Sequence, residues 1–92
     1  MNLIEHFIDG KITKGSSKKR SKVFNPATGE QSAEVNLASK SDVDMAVRKA
    51  QHAFTNWSRK PAAQRARIIF KFKDLIEKNS DELTKLIVSE HG

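Results

Sequence analysis

The hydrophobic period of this sequence changes once, at Ser39, and that change limits the possible folds more than any single residue does. Up to Leu37, small β-prone groups are separated by turn residues and never hold a helical spacing. From Ser39 onward, apolar residues return every three or four positions. A chain patterned this way starts as strand and turn and finishes as helix, with a boundary between residues 38 and 39.

Within the first part, Phe7-Ile8 and Lys11-Ile12-Thr13 flank Asp9-Gly10, a dipeptide that tolerates the positive φ of a tight hairpin turn. Lys22-Val23-Phe24 then reads as a strand leading into Asn25-Pro26-Ala27-Thr28-Gly29-Glu30, where proline fixes φ and glycine permits a left-handed bend. Ala33, Val35 and Leu37 alternate with Glu34 and Asn36, as in a returning strand with one buried face. One or two short β-hairpins are therefore expected before residue 39.

In the second part, Val43, Ala46, Val47, Ala50, Phe54 and Trp57 make one apolar stripe. Ser39 can cap this first helix with Asp42 three residues on, and Asp44 precedes Arg48 by four in the favourable direction for an ion pair. Residues 58–61 break the helix and start another, with Pro61 in its first turn, where a missing N–H costs nothing. Ala66, Ile69, Phe72 and Ile76 form its buried line, with Ile68 and Leu75 beside it. Asn79 or Ser80 caps a third helix through Asp81 and Glu82, with Leu83, Leu86 and Ile87 as its inner edge. Gly92 reads as a C-cap, a motif that normally also uses the next residue, so the chain is expected to continue. Hairpins followed by three helices do not close a layered architecture at this length.

Composition separates several function classes. With 37% hydrophobic and 30% charged residues the chain is expected to fold. No apolar run reaches the roughly 18 residues of a membrane span, and the first residues lack a signal-peptide pattern, which reads as a cytosolic or matrix protein. The absence of cysteine excludes disulfides, thiolate metal sites and a thiol nucleophile within these residues. The net charge of +6 is concentrated in Lys11, Lys14, Lys18, Lys19, Arg20 and Lys22, a stretch without a carboxylate. Such a patch suits phosphates, but Gly15-Ser16-Ser17 inside it and the lack of interleaved aromatics favour a solvated, mobile loop at 14–22.

Candidate chemistry is sparse. His6, His52 and His91 fit no zinc spacing, and adjacent helical residues such as Glu90 and His91 point about 100° apart and cannot act as a pair. No serine sits in a nucleophile elbow, and Gly10, Gly15, Gly29 and Gly92 form no phosphate loop. Phe54 and Trp57 could stack a ligand, but their stripe favours core packing. Arg65 could grip an anion, yet a structural ion pair or helix contact suits it better. No residue of this chain is assigned as catalytic, cofactor-binding or metal-ligating.

Phe7-Ile8-Asp9-Gly10-Lys11, residues 25–30, Asp42-Val43-Asp44-Met45-Ala46-Val47, Ala53-Phe54 with Trp57, Arg65, Glu82-Leu83 and Glu90-His91-Gly92 occur in an order that resembles the amino-terminal segment of the aldehyde dehydrogenase superfamily. Arg67-Ile68-Ile69-Phe70-Lys71-Phe72 with Ser89-Glu90-His91-Gly92 resembles its methylmalonate-semialdehyde dehydrogenase branch most. The resemblance implies an α+β fragment that opens the family's α/β NAD-binding domain, with 1–38 as hairpins and basic loop and 39–92 as three helices. It implies a parent enzyme that is a homo-oligomer, binds NAD and coenzyme A, and oxidises a semialdehyde to an acyl-CoA through a cysteine thiolate. The nucleophile, general base, oxyanion donor and NAD-binding residues all fall outside this segment, whose partner is the remainder of that enzyme. The fragment itself is expected to be an inactive monomer in the cytoplasm, or in the mitochondrial matrix of a eukaryote, without membrane or specific nucleic-acid partners. The residues alone also allow a small basic nucleic-acid-binding module or a helical interaction domain using the stripe from Val43.

Overall fold

The computed structural model describes residues 2–92. Five short strands precede three helices: β1 (Asn2–Ile4), β2 (His6–Ile8), β3 (Lys11–Thr13), β4 (Arg20–Phe24), β5 (Gln31–Asn36), α1 (Lys40–Trp57), α2 (Ala62–Lys78) and α3 (Ser80–His91). Both expected hairpins form. In the first, β2 pairs antiparallel with β3, Phe7 opposite Ile12. Asp9 and Gly10 both take positive φ, 55° and 72°, which lets a two-residue turn follow the strand twist.

The second hairpin joins β4 to β5 around residues 25–30. Asn25 organises the turn: its side-chain Oδ1 accepts from the Ala27 N–H (2.9 Å), and its backbone oxygen accepts from the Gly29 N–H (2.8 Å). Gly29 then supplies the left-handed bend at φ 74°. Val23 pairs with Ala33 but Phe24 with Gln31, so Ser32 is the extra residue of a bulge. Its hydroxyl donates to the Val23 carbonyl at 3.3 Å.

Two features of the strands depart from the sequence reading. Asn2–Ile4 adds a parallel strand to the far side of β5, giving the order β1-β5-β4. On β5, Ala33 is buried as expected, but so is Asn36, while Leu37 lies exposed after the strand. Asn36 is held there because its Nδ2 donates to the Lys14 carbonyl at 3.2 Å, so a polar residue closes the strand against the loop.

Helix α1 starts at a full capping box. The Ser39 hydroxyl accepts from the Asp42 N–H (3.1 Å), and the Asp42 carboxylate accepts from the Ser39 N–H (2.9 Å). Asp44 and Arg48 do not close into an ion pair. The ion pairs among the described residues are Arg20–Glu34, Lys49–Asp9 and Lys73–Glu77. Pro61 sits just outside α2, extended at φ −56° and ψ 148°, one position earlier than expected. Between α2 and α3 only Asn79 intervenes, and it makes no side-chain cap. Its Nδ2 donates back to the Leu75 carbonyl at 2.8 Å, serving the end of α2 and leaving α3 uncapped by a side chain.

The elements do not enclose a core. The extents are 48 × 34 × 16 Å, and the shortest approaches the roughly 10–12 Å diameter of one helix with its side chains. A radius of gyration of 16.8 Å exceeds the roughly 13 Å of a compact 100-residue domain. Ala33 is the only buried apolar residue among those described. The helical stripes exist at the expected positions, but Val43, Val47, Phe54, Ile69, Phe72, Ile76, Leu83, Leu86 and Ile87 all face outward into solvent. Amphipathic periodicity made the helices; the described residues leave their apolar sides largely uncovered.

Candidate functional site

The most tightly built polar cluster lies where the basic loop meets the start of α1. Asp42 is 6% exposed at the first turn of the helix and faces residues 15–16. Besides the Ser39 N–H, its carboxylate accepts from the Ser16 N–H (3.0 and 3.2 Å to its two oxygens) and from the Ser16 hydroxyl (3.2 Å). The Ser16 hydroxyl also lies 2.7 Å from that of Ser39 and 3.1 Å from that of Ser41. The Ser39 N–H bond holds the Asp42 carboxyl below its ordinary value; desolvation opposes this, and the Ser39 hydroxyl and the two Ser16 donors reinforce it.

Gly15 makes this contact possible. At φ 75° it occupies a left-handed conformation, and a Cβ there would stand 2.6 Å from Asp42 Oδ2 and 3.0 Å from His6 Cδ2. The backbone thus passes between a carboxylate and an imidazole where no side chain fits. His6 is half-buried beside it, and its Nε2 is buried without a partner.

These bonds give residues 14–22, expected as a solvated loop, several fixed attachments to the rest of the chain. Residues 20–22 are strand, Ser16 is tied to α1, the Lys14 carbonyl is tied to Asn36, and the Lys19 carbonyl accepts from the Leu37 N–H at 2.9 Å. Sequence reasoning saw the cap at Ser39 and Asp42 but not the loop that shares it. The available signal was a carboxylate at the third helical position with a Gly-Ser pair upstream, which is too common to single out.

Elsewhere the residues considered for chemistry stay apart. His52, Glu90 and His91 are exposed, and no group of metal-ligand side chains occurs among the described residues. Phe54 is exposed rather than packed, while Trp57 is half-buried. Arg65 is half-buried and forms no ion pair among the described residues, which leaves the helix contact of the two structural roles considered, and its Nε has no partner. Among the described residues no helix is long and apolar enough to cross a membrane.

One way to hold a dinucleotide is a glycine-rich turn between a strand and a helix whose free N–H groups face the pyrophosphate, and the glycines here build no such turn. Here Gly10 and Gly29 lie in hairpin turns, Gly92 at a helix end, and Gly15 against Asp42.

The relatives of this chain account for a fold with faces but no centre. The aldehyde dehydrogenase family model matches residues 12–92. A malonate-semialdehyde dehydrogenase of Bacillus pumilus is 41% identical over 92 residues, which are 100% of this chain and 19% of that protein. A second malonate-semialdehyde dehydrogenase, from Bacillus thuringiensis, is 43% identical over 90 residues, 98% of this chain and 18% of its own length. The crystal structure of a methylmalonate-semialdehyde dehydrogenase from Oceanimonas doudoroffii superposes with a TM-score of 0.95 at 43% identity, covering 100% of this chain and 19% of that one. A candidate methylmalonate-semialdehyde dehydrogenase of Sinorhizobium meliloti, solved with NAD, superposes at 0.96 with 42% identity, again over 100% and 19%. The chain therefore spans about a fifth of the length of these relatives and corresponds to their N-terminal segment. Five strands in two small sheets, three outward-facing helices and a family match over residues 12–92 lead to one assignment: this chain belongs to the aldehyde dehydrogenase family of oxidoreductases.

Proposed function

We propose that these 92 residues are the leading structural portion of the NAD-binding domain of an aldehyde dehydrogenase that oxidises malonate or methylmalonate semialdehyde to an acyl-CoA. The observation that carries this reading is the coincidence of a TM-score of 0.95 with apolar helix faces that lie open. The segment superposes on the corresponding part of a larger enzyme, while the apolar surfaces that such an enzyme would cover are exposed.

In this reading hydride transfer to NAD and acyl transfer to coenzyme A belong to the other four-fifths of the enzyme, and no residue here touches the reacting atoms. The chain's own part is mechanical. The capping box fixes the entry of α1, and α2 with α3 offers Phe72, Leu75, Ile76, Leu83 and Leu86 as one apolar groove. The parent enzyme is a cytoplasmic homo-oligomer, or a mitochondrial one in a eukaryote, and its remainder is this segment's partner.

The test is reconstitution. The chain alone, given a semialdehyde, NAD and coenzyme A, forms no NADH. A Bacillus relative lacking its corresponding segment regains NADH formation when the chain is added. Turnover by the chain alone, or a truncated relative that is fully active without it, overturns the proposal.

A further inference from the structure

We infer that the basic loop is a binding surface for small phosphate-bearing anions of the pyrophosphate class, a role independent of the aldehyde dehydrogenase reading. Lys14, Lys18 and Arg20, with Ser16, Ser17 and Asn36, line a surface concavity of about 480 Å³. A patch of lysines on a mobile loop would hold ions only loosely, because ordering the loop would oppose binding. Here the ordering is already done by the bonds from Ser16 to Asp42, from Asn36 to the Lys14 carbonyl and from Leu37 to the Lys19 carbonyl.

The charge balance also favours an anion. Glu34 reaches Arg20 at 3.8 Å, but the two side chains are 38% and 52% exposed, so this pair holds Arg20 weakly. The Asp42 carboxylate is turned toward Ser39 and Ser16, occupied by their N–H and hydroxyl groups. The Lys14 and Lys18 ammonium groups form no ion pair among the described residues. A pyrophosphate suits the site better than a nucleic acid because no aromatic side chain lines it for base stacking and three cationic residues line one small concavity.

The experiment titrates sodium pyrophosphate into the isotope-labelled 92-residue chain at constant ionic strength and follows the backbone amides of residues 14–20. Saturable shifts confined to that loop are expected. Lys14→Gln and Lys18→Gln, both at exposed positions, should each weaken binding roughly two- to fivefold, as loss of one exposed ion pair does. Lys71→Gln, an equal loss of charge on exposed α2, should leave it unchanged.

Asp42→Asn separates a built site from a diffuse field. It removes one negative charge and so raises the net charge of +6 by one, yet it loosens the loop. The inference expects weaker binding. Tighter binding, an equal effect of Lys71→Gln, or shifts that follow ionic strength alone would overturn it. So would duplex DNA displacing pyrophosphate with shifts spread beyond the loop. Should Asp42→Asn lose helicity, the two lysine variants against Lys71→Gln still decide.

Discussion

Placing alanine at Gly15 puts two separable costs on one residue, and the structure supplies a control for each. The first is conformational: a Cβ at φ 75° is held in the left-handed region, at about 1–2 kcal/mol. The same cost applies at Gly10 (φ 72°) and Gly29 (φ 74°), where a Cβ meets nothing within 4 Å. The second cost is steric and belongs to Gly15 alone. A Cβ 2.6 Å from Asp42 Oδ2 forces the carboxylate away, and the Ser16 N–H and hydroxyl lose their acceptor. Gly10→Ala and Gly29→Ala should thus each destabilise by about 1–2 kcal/mol, and Gly15→Ala by clearly more. Urea denaturation followed by circular dichroism measures the three, while amide exchange at Ser16 reports the contact itself. The reasoning is refuted if Gly15→Ala costs the same as Gly10→Ala and Ser16 keeps its protection.

Three further outcomes are expected. The Asp42 carboxyl is held below its ordinary value of 3.8, so its contribution to stability is fully present above about that pH and is lost as pH falls through the lower folded value. An acid titration of Ser16 amide protection should show this loss, and Asp42→Asn should remove the transition. Ser39→Ala deletes the hydroxyl that accepts from Asp42 N–H, which should lower stability by about 1 kcal/mol and fray the first turn of α1 in backbone chemical shifts. Leu86→Glu, at a position already 53% exposed, should change the stability of the isolated chain by no more than about 0.5 kcal/mol but abolish reconstitution with the rest of a dehydrogenase.

What the sequence disclosed was local. Asp9-Gly10, Asn25 through Gly29 and the Ser39–Asp42 box each encode their geometry within six residues, because φ preferences and side-chain-to-backbone bonds act at that range. Helical periodicity likewise placed α1 to α3 within a few positions. The parallel pairing of β1 with β5 joins residues some thirty apart, and three residues of strand carry no period that reveals it. The order of the basic loop was hidden for a similar reason: Ser16 meets Asp42 across 26 positions, and composition alone described a soluble, floppy run. Burial of Asn36 in place of Leu37 follows from the same loop. The helix stripes were legible as stripes, but whether they are covered depends on residues outside this chain. The absence of cysteine was legible too, and family membership gives it context: chemistry of the thiol kind is not carried by these residues.

The central claim is that α2 and α3 present a docking face for the remainder of an aldehyde dehydrogenase. Amide hydrogen exchange of the chain, alone and mixed with a Bacillus malonate-semialdehyde dehydrogenase truncated of its own N-terminal segment, tests it most directly. Helices with bare apolar sides open readily, so exchange across residues 62–91 should be fast in the chain alone and slow by at least about tenfold on mixing. Exchange in α2 and α3 that is unchanged by the truncated enzyme would contradict the account.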